Sequence, residues 1–319
     1  MTRFVLRRLV LGIVVAWLMS VAVFALFYLA PADPARTIAG RQATAETVAA
    51  VRHRLGLDRP VPVQYWHFLV GLVHGDLGYS YYNSEPVRSL IAARLPVTLS
   101  LTLGSSVLWL LIGIGIGIRA ARRPRTATDW GATLFVLTGL SAPTFLVGLL
   151  LLYVCFFRLR LAGVDLFPGG GYVPFTQSPL GWAQHLVLPW VTLAVVSAAT
   201  YTRLTRASLL DVFAQDYVQT ARAKGVTERT VVYRHAMRAA LTPLVTQLGI
   251  DVATLLGGAV VTETVFGLPG LGQLAVQSIT TQDLPVIVGI VLMAALFIIL
   301  ANIVVDLLYA VLDPRVHAA

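Results

Sequence analysis

Cysteine and lysine each occur once in the 319 residues, as Cys155 and Lys224, and only 12% of the chain is charged. A single cysteine permits no intramolecular disulfide and leaves a cysteine metal site without its usual ligands. The single lysine precedes Gly225. A phosphate-binding loop needs Lys directly before Ser or Thr, in the pattern G-x-x-x-x-G-K-[ST], so any ATP chemistry must belong to another chain. The shortage of charge excludes an ordinary soluble domain, whose charged fraction is about twice as large. H-E-x-x-H does not occur, which removes zinc hydrolases of that type. Intramembrane acids are few and repeated halves are not evident, and both weigh against an ion-coupled secondary transporter.

What is present is apolar and basic. Hydrophobic residues make up 57% of the chain and the net charge is +9, with a mean hydropathy of +0.78. A basic total can serve nucleic acid, but that requires a soluble basic face. Here the Arg residues flank long apolar runs, so membrane topology accounts for them and no nucleic-acid partner is expected.

A bilayer core of about 30 Å takes roughly 20 residues at about 1.5 Å each. Six runs meet that length: between Arg8 and Asp33, Arg94 and Arg119, Asp129 and Arg158, over about 183–202, over about 241–262, and between Asp283 and Asp306. Arg3, Arg7 and Arg8 before the first run imitate a secretory leader, but a leader's apolar stretch is only about 7–15 residues. An uncleaved first span is therefore expected. With the N-terminus inside, the inner segments hold 15 Lys and Arg, against 2 in the short outer segments. The positive-inside rule then predicts that both termini are cytoplasmic. The expected organisation is all-α and polytopic: a first span over 1–30, an extracytoplasmic helical subdomain over 31–94, and a five-helix core over 95–319 that carries an insert at 216–240.

The outer segment 31–94 has helical spacing at Val48, Val51 and Leu55, with Gly56 and Pro60 as stops, and then an amphipathic run with Trp and Tyr suited to the interface. His53, His67 and His74 lack a neighbouring carboxylate or third close ligand, so no metal site is expected from them. Between the last two spans, Gly267, Pro269, Gly270 and Gly272 predict a tight non-helical turn, which is either a plain hairpin or a segment dipping back into protein-covered membrane. Gly113 and Gly117 allow close helix contact. Pro143 predicts a kink in the third span, a candidate feature of a pathway. Ser141 in GLSAP only faintly resembles a nucleophile turn, and no base is placed for it. Asp251 is the clear intramembrane acid, and such a residue facing lipid would cost about 2.5–3.5 kcal/mol or more. It either lines a pathway or pairs with an Arg or a hydroxyl nearby. Asp306 lies nearer the end of its span and reads as structural.

The insert DYVQTARAKGVTERTVVYRHAMRAALTP carries Lys224 among several Arg. Asp216, with Gln219 three residues on, predicts an N-terminal cap. Gly225 predicts a left-handed C-terminal stop. Arg222 and Lys224 suit the negative end of that helix, and Glu228 the positive end of the next, which Thr227 caps. Ala221 and Ala223 leave a thin face.

TARAKG followed by ERTVVYRHAMRAALTP resembles the cytoplasmic loop of ABC importer permeases, in the peptide and nickel branch. FVLRRLV, LGLDRPVPVQY with GDLGYSY, ETVFGLPGLGQL and NIVVDLLYAVLDPR are similar to that branch as well, so the resemblance runs over most of the chain. It points to the first permease of peptide importers. It implies the type I importer permease fold and coupling helices at 216–240 that dock on a cytoplasmic ATPase, with Asp216, Ala221, Arg222, Ala223, Lys224, Gly225 and Glu228 at the contact. The implied partners are a second permease, two ATP-binding subunits that hold ATP and Mg, an extracytoplasmic binding protein and membrane lipid. No catalytic residue and no cofactor of this chain's own is implied. The substrate would be short peptides, with nickel complexes or glutathione as alternatives. Gln219 stands where the family's loop has Glu, and Asp251 where an uncharged residue is expected.

Overall fold

The computed structural model describes residues 2–29, 34–39, 43–54 and 56–312. Among the described residues there is no strand, only an isolated antiparallel bridge between Tyr79 and Pro86. The helices in order are α1 (Thr2–Leu29), α2 (Pro34–Ala39), α3 (Ala45–Arg54), α4 (Val61–Val73), α5 (Val87–Arg122), α6 (Ala127–Ser141), α7 (Thr144–Leu151), a π-helical stretch (Leu152–Arg158) running into α8 (Leu159–Leu161), and α9 (Pro179–Phe213). Then come α10 (Asp216–Ala223), α11 (Glu228–Thr230), a second π-helical stretch (Val231–Ala236), α12 (Met237–Leu256), α13 (Val260–Val265), α14 (Leu271–Thr280) and α15 (Leu284–Leu312). Among the described residues, six helical segments are long and apolar enough to cross a bilayer.

Helix α5 acts as the ruler of the molecule. Its 36 residues extend about 54 Å, well beyond a core of about 30 Å. At its first turns Val87 and Ile91 pack with Leu271, Leu274 and Val286. Midway, Trp109 joins Ala198, Tyr201 and Leu244. At its end, Ile118 and Ala121 join Leu209, Phe213, Val218 and Val232. The three clusters mark one end, the middle and the other end of the bundle.

Glycine lets α5 and α9 touch. A Cβ on Gly113 would stand 2.6 Å from that of Tyr201, and one on Gly117 would stand 2.6 Å from that of Thr205. The four-residue spacing therefore places two backbones in contact, as small residues do in membrane bundles.

Several boundaries differ from the sequence expectation. The second long helix starts at Val87, not near Arg94, and carries Pro96 inside it. The third run breaks instead of kinking: α6 stops at Ser141 and Ala142 is extended (φ −83°, ψ 120°) before Pro143 and α7. A residue preceding proline is pushed out of the helical region, and here the helix yields completely. The fourth helix runs to Phe213 with Pro189 tolerated inside. The fifth stops at Leu256, six residues early, where Gly258 adopts φ +128°.

Candidate functional site

The 216–240 insert folds as a clipped helical hairpin. At the close of α10, the Val226 N–H donates to the Ala221 carbonyl (3.2 Å) and the Gly225 N–H to the Arg222 carbonyl (2.9 Å). This is the Schellman pattern, and Gly225 supplies its left-handed residue at φ +76°. The N-terminal cap differs from the expectation. Gln215 occupies the cap position, and Asp216 is the first helical residue with no capping side chain before it. Gln219 does not close a capping box; its Nε2 donates to the Phe213 carbonyl (2.7 Å) and so satisfies the end of α9. Thr227 caps through position alone, its hydroxyl meeting that of Thr230 at 2.9 Å.

Arg222 does more than complement a dipole. Its Nη2 donates to Glu228 Oε1 (2.8 Å) and its Nε to Oε2 (3.2 Å). The guanidinium also lies 4.9 Å from the Phe213 ring centroid, a cation–π distance. One side chain thus ties together the end of α9, the end of α10 and the start of α11. Ala221 faces inward: with Val218 it is buried against this chain's own core, so it is not part of a thin outward face. Ala223, Lys224 and Gly225 are exposed, as are Asp216 and Glu228. Tyr217 and Tyr233, which the sequence reading passed over, are 48% and 57% exposed on the same hairpin.

In the mid-bundle, Asp251 on α12 pairs with a hydroxyl from a neighbouring helix. Tyr201 Oη donates to Oδ2 (2.9 Å) and Gln247 Nε2 to Oδ1 (2.8 Å). Tyr201 is fully buried, whereas Asp251 keeps partial exposure beside exposed Thr254. Pro143 is distinct in role: it sets the break between α6 and α7.

A third constellation escaped the sequence reading. Glu263 on α13 is completely buried. Its Oε1 accepts from Thr98 Oγ1 (2.8 Å) and its Oε2 from the Gln273 N–H (2.9 Å), while the Leu271 N–H donates to Thr98 Oγ1 (2.9 Å). A Cβ on Gly270 would collide with the Glu263 carboxylate, and one on Gly272 would stand 2.8 Å from the Val260 backbone. Of the four residues expected to make a turn, only Gly267 needs the left-handed region, at φ +58°. Gly270 and Gly272 are required for close approach. The segment is therefore two short helices locked to α5 by a carboxylate. The available signal was the acid at the end of an apolar run, seven residues before a glycine.

Asp283 performs a similar task at the start of α15. It accepts from the Ser80 hydroxyl, the Tyr81 N–H (3.1 Å) and the Tyr82 N–H (3.3 Å), pinning the 74–86 loop. Burial, and then the Asp283 charge, push the Tyr81 phenol up to about 12. Asp306 pairs with Arg8 at 3.0 Å. The three histidines of the 31–94 segment are engaged separately: His67 with Arg59 (2.8 Å), His74 with the Val70 carbonyl (2.8 Å), and His53 beside Asp58 (3.8 Å). Among the described residues no three His, Cys, Asp or Glu side chains gather as a metal would need. The Ser141 hydroxyl makes no hydrogen bond among the described residues, so no base prepares it as a nucleophile.

Comparison with known proteins gives a consistent pattern. Residues 113–318 match the model of the family described as "Binding-protein-dependent transport system inner membrane component", and residues 1–102 match that of its N-terminal part. A putative peptide transport system permease of Brucella suis is 43% identical over 99% of both chains. The glutathione transport system permease of Salmonella typhimurium is 44% identical over 99% of both. Among solved structures, the MetNI methionine ABC transporter in an inward-facing conformation superposes with a TM-score of 0.53 at 20% identity. The match covers 70% of this chain and 96% of that one, and it bears on the fold alone.

Proposed function

The chain belongs to the family of inner-membrane components of binding-protein-dependent transport systems, and from that premise we propose that it is the permease subunit through which an ATP-driven importer moves short peptides. It is a multi-pass inner-membrane transport subunit and not an enzyme. Both termini and the 216–240 hairpin lie in the cytoplasm, a reading supported by the imbalance of basic residues. ATP and Mg sit on two ATPase chains; a second permease completes the pathway, and an extracytoplasmic binding protein delivers the peptide.

The observation that carries this reading is the hairpin. Its apolar side, Val218 and Ala221, is consumed by the chain's own core, while Tyr217, Ala223, Lys224 and Tyr233 are exposed. Aromatic side chains in a polar rim suit a protein partner. Arg222, held by Glu228 and Phe213, makes the hairpin stiff enough to pass a displacement into α9 and α12. Within the bundle, Asp251 meets the cationic amine of the passing peptide, with Tyr201 and Gln247 fixing its carboxylate.

Reconstitution tests this directly. The assembled complex, placed in vesicles with ATP on the hairpin side and the binding protein opposite, is expected to accumulate labelled di- and tripeptides. Uptake driven by an ion gradient without ATP would sink the proposal. The relationship to a glutathione permease makes that tripeptide the informative competitor. Uptake of glutathione alone would narrow the substrate without changing the mechanism.

A further inference from the structure

A cleft of about 450 Å³ runs along the membrane-spanning parts of α1 and α15. Its walls are apolar for most of their length, with Leu11, Val15 and Met19 on one side and Val291 and Ile298 on the other. Gly12 forms the pinch: a Cβ there would stand 3.0 Å from Ile299, so the helices touch at the floor and diverge outward. At one end the cleft becomes polar. Arg8 donates to Asp306 at 3.0 Å, and Asn302 lines the wall one turn deeper. The Asn302 side chain is exposed and makes no hydrogen bond among the described residues. A bare amide at that depth is costly in hydrocarbon, which offers it no partner.

We propose that this cleft binds one anionic phospholipid, its acyl chain along α1 and α15, its ester region at Asn302 and its phosphate at the Arg8 end. Three physical features fit that occupant. The lining from Arg8 to Met19 rises about 17 Å, close to the roughly 15 Å of one leaflet's hydrocarbon. The helices touch at Gly12 and diverge outward, so the space between them is a narrow, open-sided groove along which a single alkyl chain can lie. The polar groups also come in the order in which a phospholipid presents its own. The Asn302 amide donates to an ester carbonyl, and the guanidinium of Arg8, with exposed Arg7 next to it in sequence, stands at the phosphate end. The lipid assignment does not depend on which substrate the transporter carries, since no part of the hairpin or of the Asp251 cluster enters the cleft.

The test uses the detergent-purified complex after delipidation, with phosphatidylglycerol and phosphatidylcholine of identical chains as probes. Native mass spectrometry is expected to find one phosphatidylglycerol retained on this chain, at least ten-fold more tightly than phosphatidylcholine. Two variants separate the site from bulk solvation. Val15→Trp fills the cleft from a residue that is 46% exposed, and Asn302→Leu removes the amide. Each is expected to weaken retention at least ten-fold, and Asn302→Leu also to abolish the rise in thermal midpoint that added phosphatidylglycerol gives. If no lipid occupies the site, Asn302→Leu should simply stabilise the complex, by removing a bare amide. That result, retention unaltered by both variants, or a cross-link from Val15→Cys to the second permease would overturn the proposal.

Discussion

At the scale of single residues, glycine has two physically different jobs in this protein. Gly225 stands in open space, with nothing within 4 Å of an added Cβ, yet its φ is +76°. The constraint is conformational. An L-residue there costs about 1–2 kcal/mol and a β-branched one more, enough to shift an equilibrium by about ten-fold. Gly225→Val is therefore expected to uncouple ATP hydrolysis from uptake, whereas Gly225→Asn, which tolerates the left-handed region, should retain most uptake. Normal transport by an assembled Gly225→Val complex would remove the coupling role. Gly270 has an ordinary φ but no room, because the Glu263 carboxylate occupies the place of its Cβ. Gly270→Ala is expected to destabilise the complex by about 2–4 kcal/mol, through displacement of a buried hydrogen-bonded acid. A thermal midpoint equal to the parent's would show that the knot yields more easily than its geometry implies.

At the scale of elements, buried charges act as fasteners between helices that hydrophobic packing alone would let slide. Asp129 on α6 takes two bonds from Arg206 on α9, at 2.6 and 2.9 Å, and one from the Arg125 N–H at 2.9 Å. Arg206→Ala would strand a buried carboxylate. A fully buried pair costs about 3–5 kcal/mol when broken; with Arg206 a third exposed, about 1–3 kcal/mol is expected. Adding Asp129→Asn should recover part of that loss, and a thermal-shift double-mutant cycle measures it. The 74–86 loop held by Asp283 has a pH signature. Because Tyr81 is held neutral up to about 12, its contribution is complete below about 10, the unfolded tyrosine value. It is lost as pH rises through 12. Tyrosinate absorbance should show a phenol titrating near 12 that disappears in Tyr81→Phe. Asp283→Asn should bring it partway back toward 10, burial remaining as the larger cause.

At the scale of the whole molecule, α5 contributes side chains to four cores, from the hairpin cluster at one end to the region of the Glu263 knot near the other. Asp251 sits between those ends and provides the substrate test. Asp251→Asn preserves the acceptor for Tyr201 while removing the charge. Uptake of peptides with a free amino terminus is expected to fall several-fold, and uptake of N-acetylated peptides to stay at the parent rate. Equal behaviour of both classes would assign Asp251 to helix pairing alone.

The sequence by itself determined the all-helical class, the six runs long enough to cross a bilayer and the helix–glycine–helix insert. These depend on hydropathy and on local rules such as the Gly225 stop, none of which needs distant residues. Tertiary structure alone decided that Ala221 points inward, that Arg222 clasps Glu228 and Phe213, that Gln219 serves the end of α9, and that Glu263 reaches Thr98, which lies 165 residues away in sequence. Side-chain partners across such separations are fixed by which helix faces meet. Hydropathy places helices in a membrane but leaves their rotation and contact open, and the glycines of α5, the break at Pro143 and the buried carboxylates settle both.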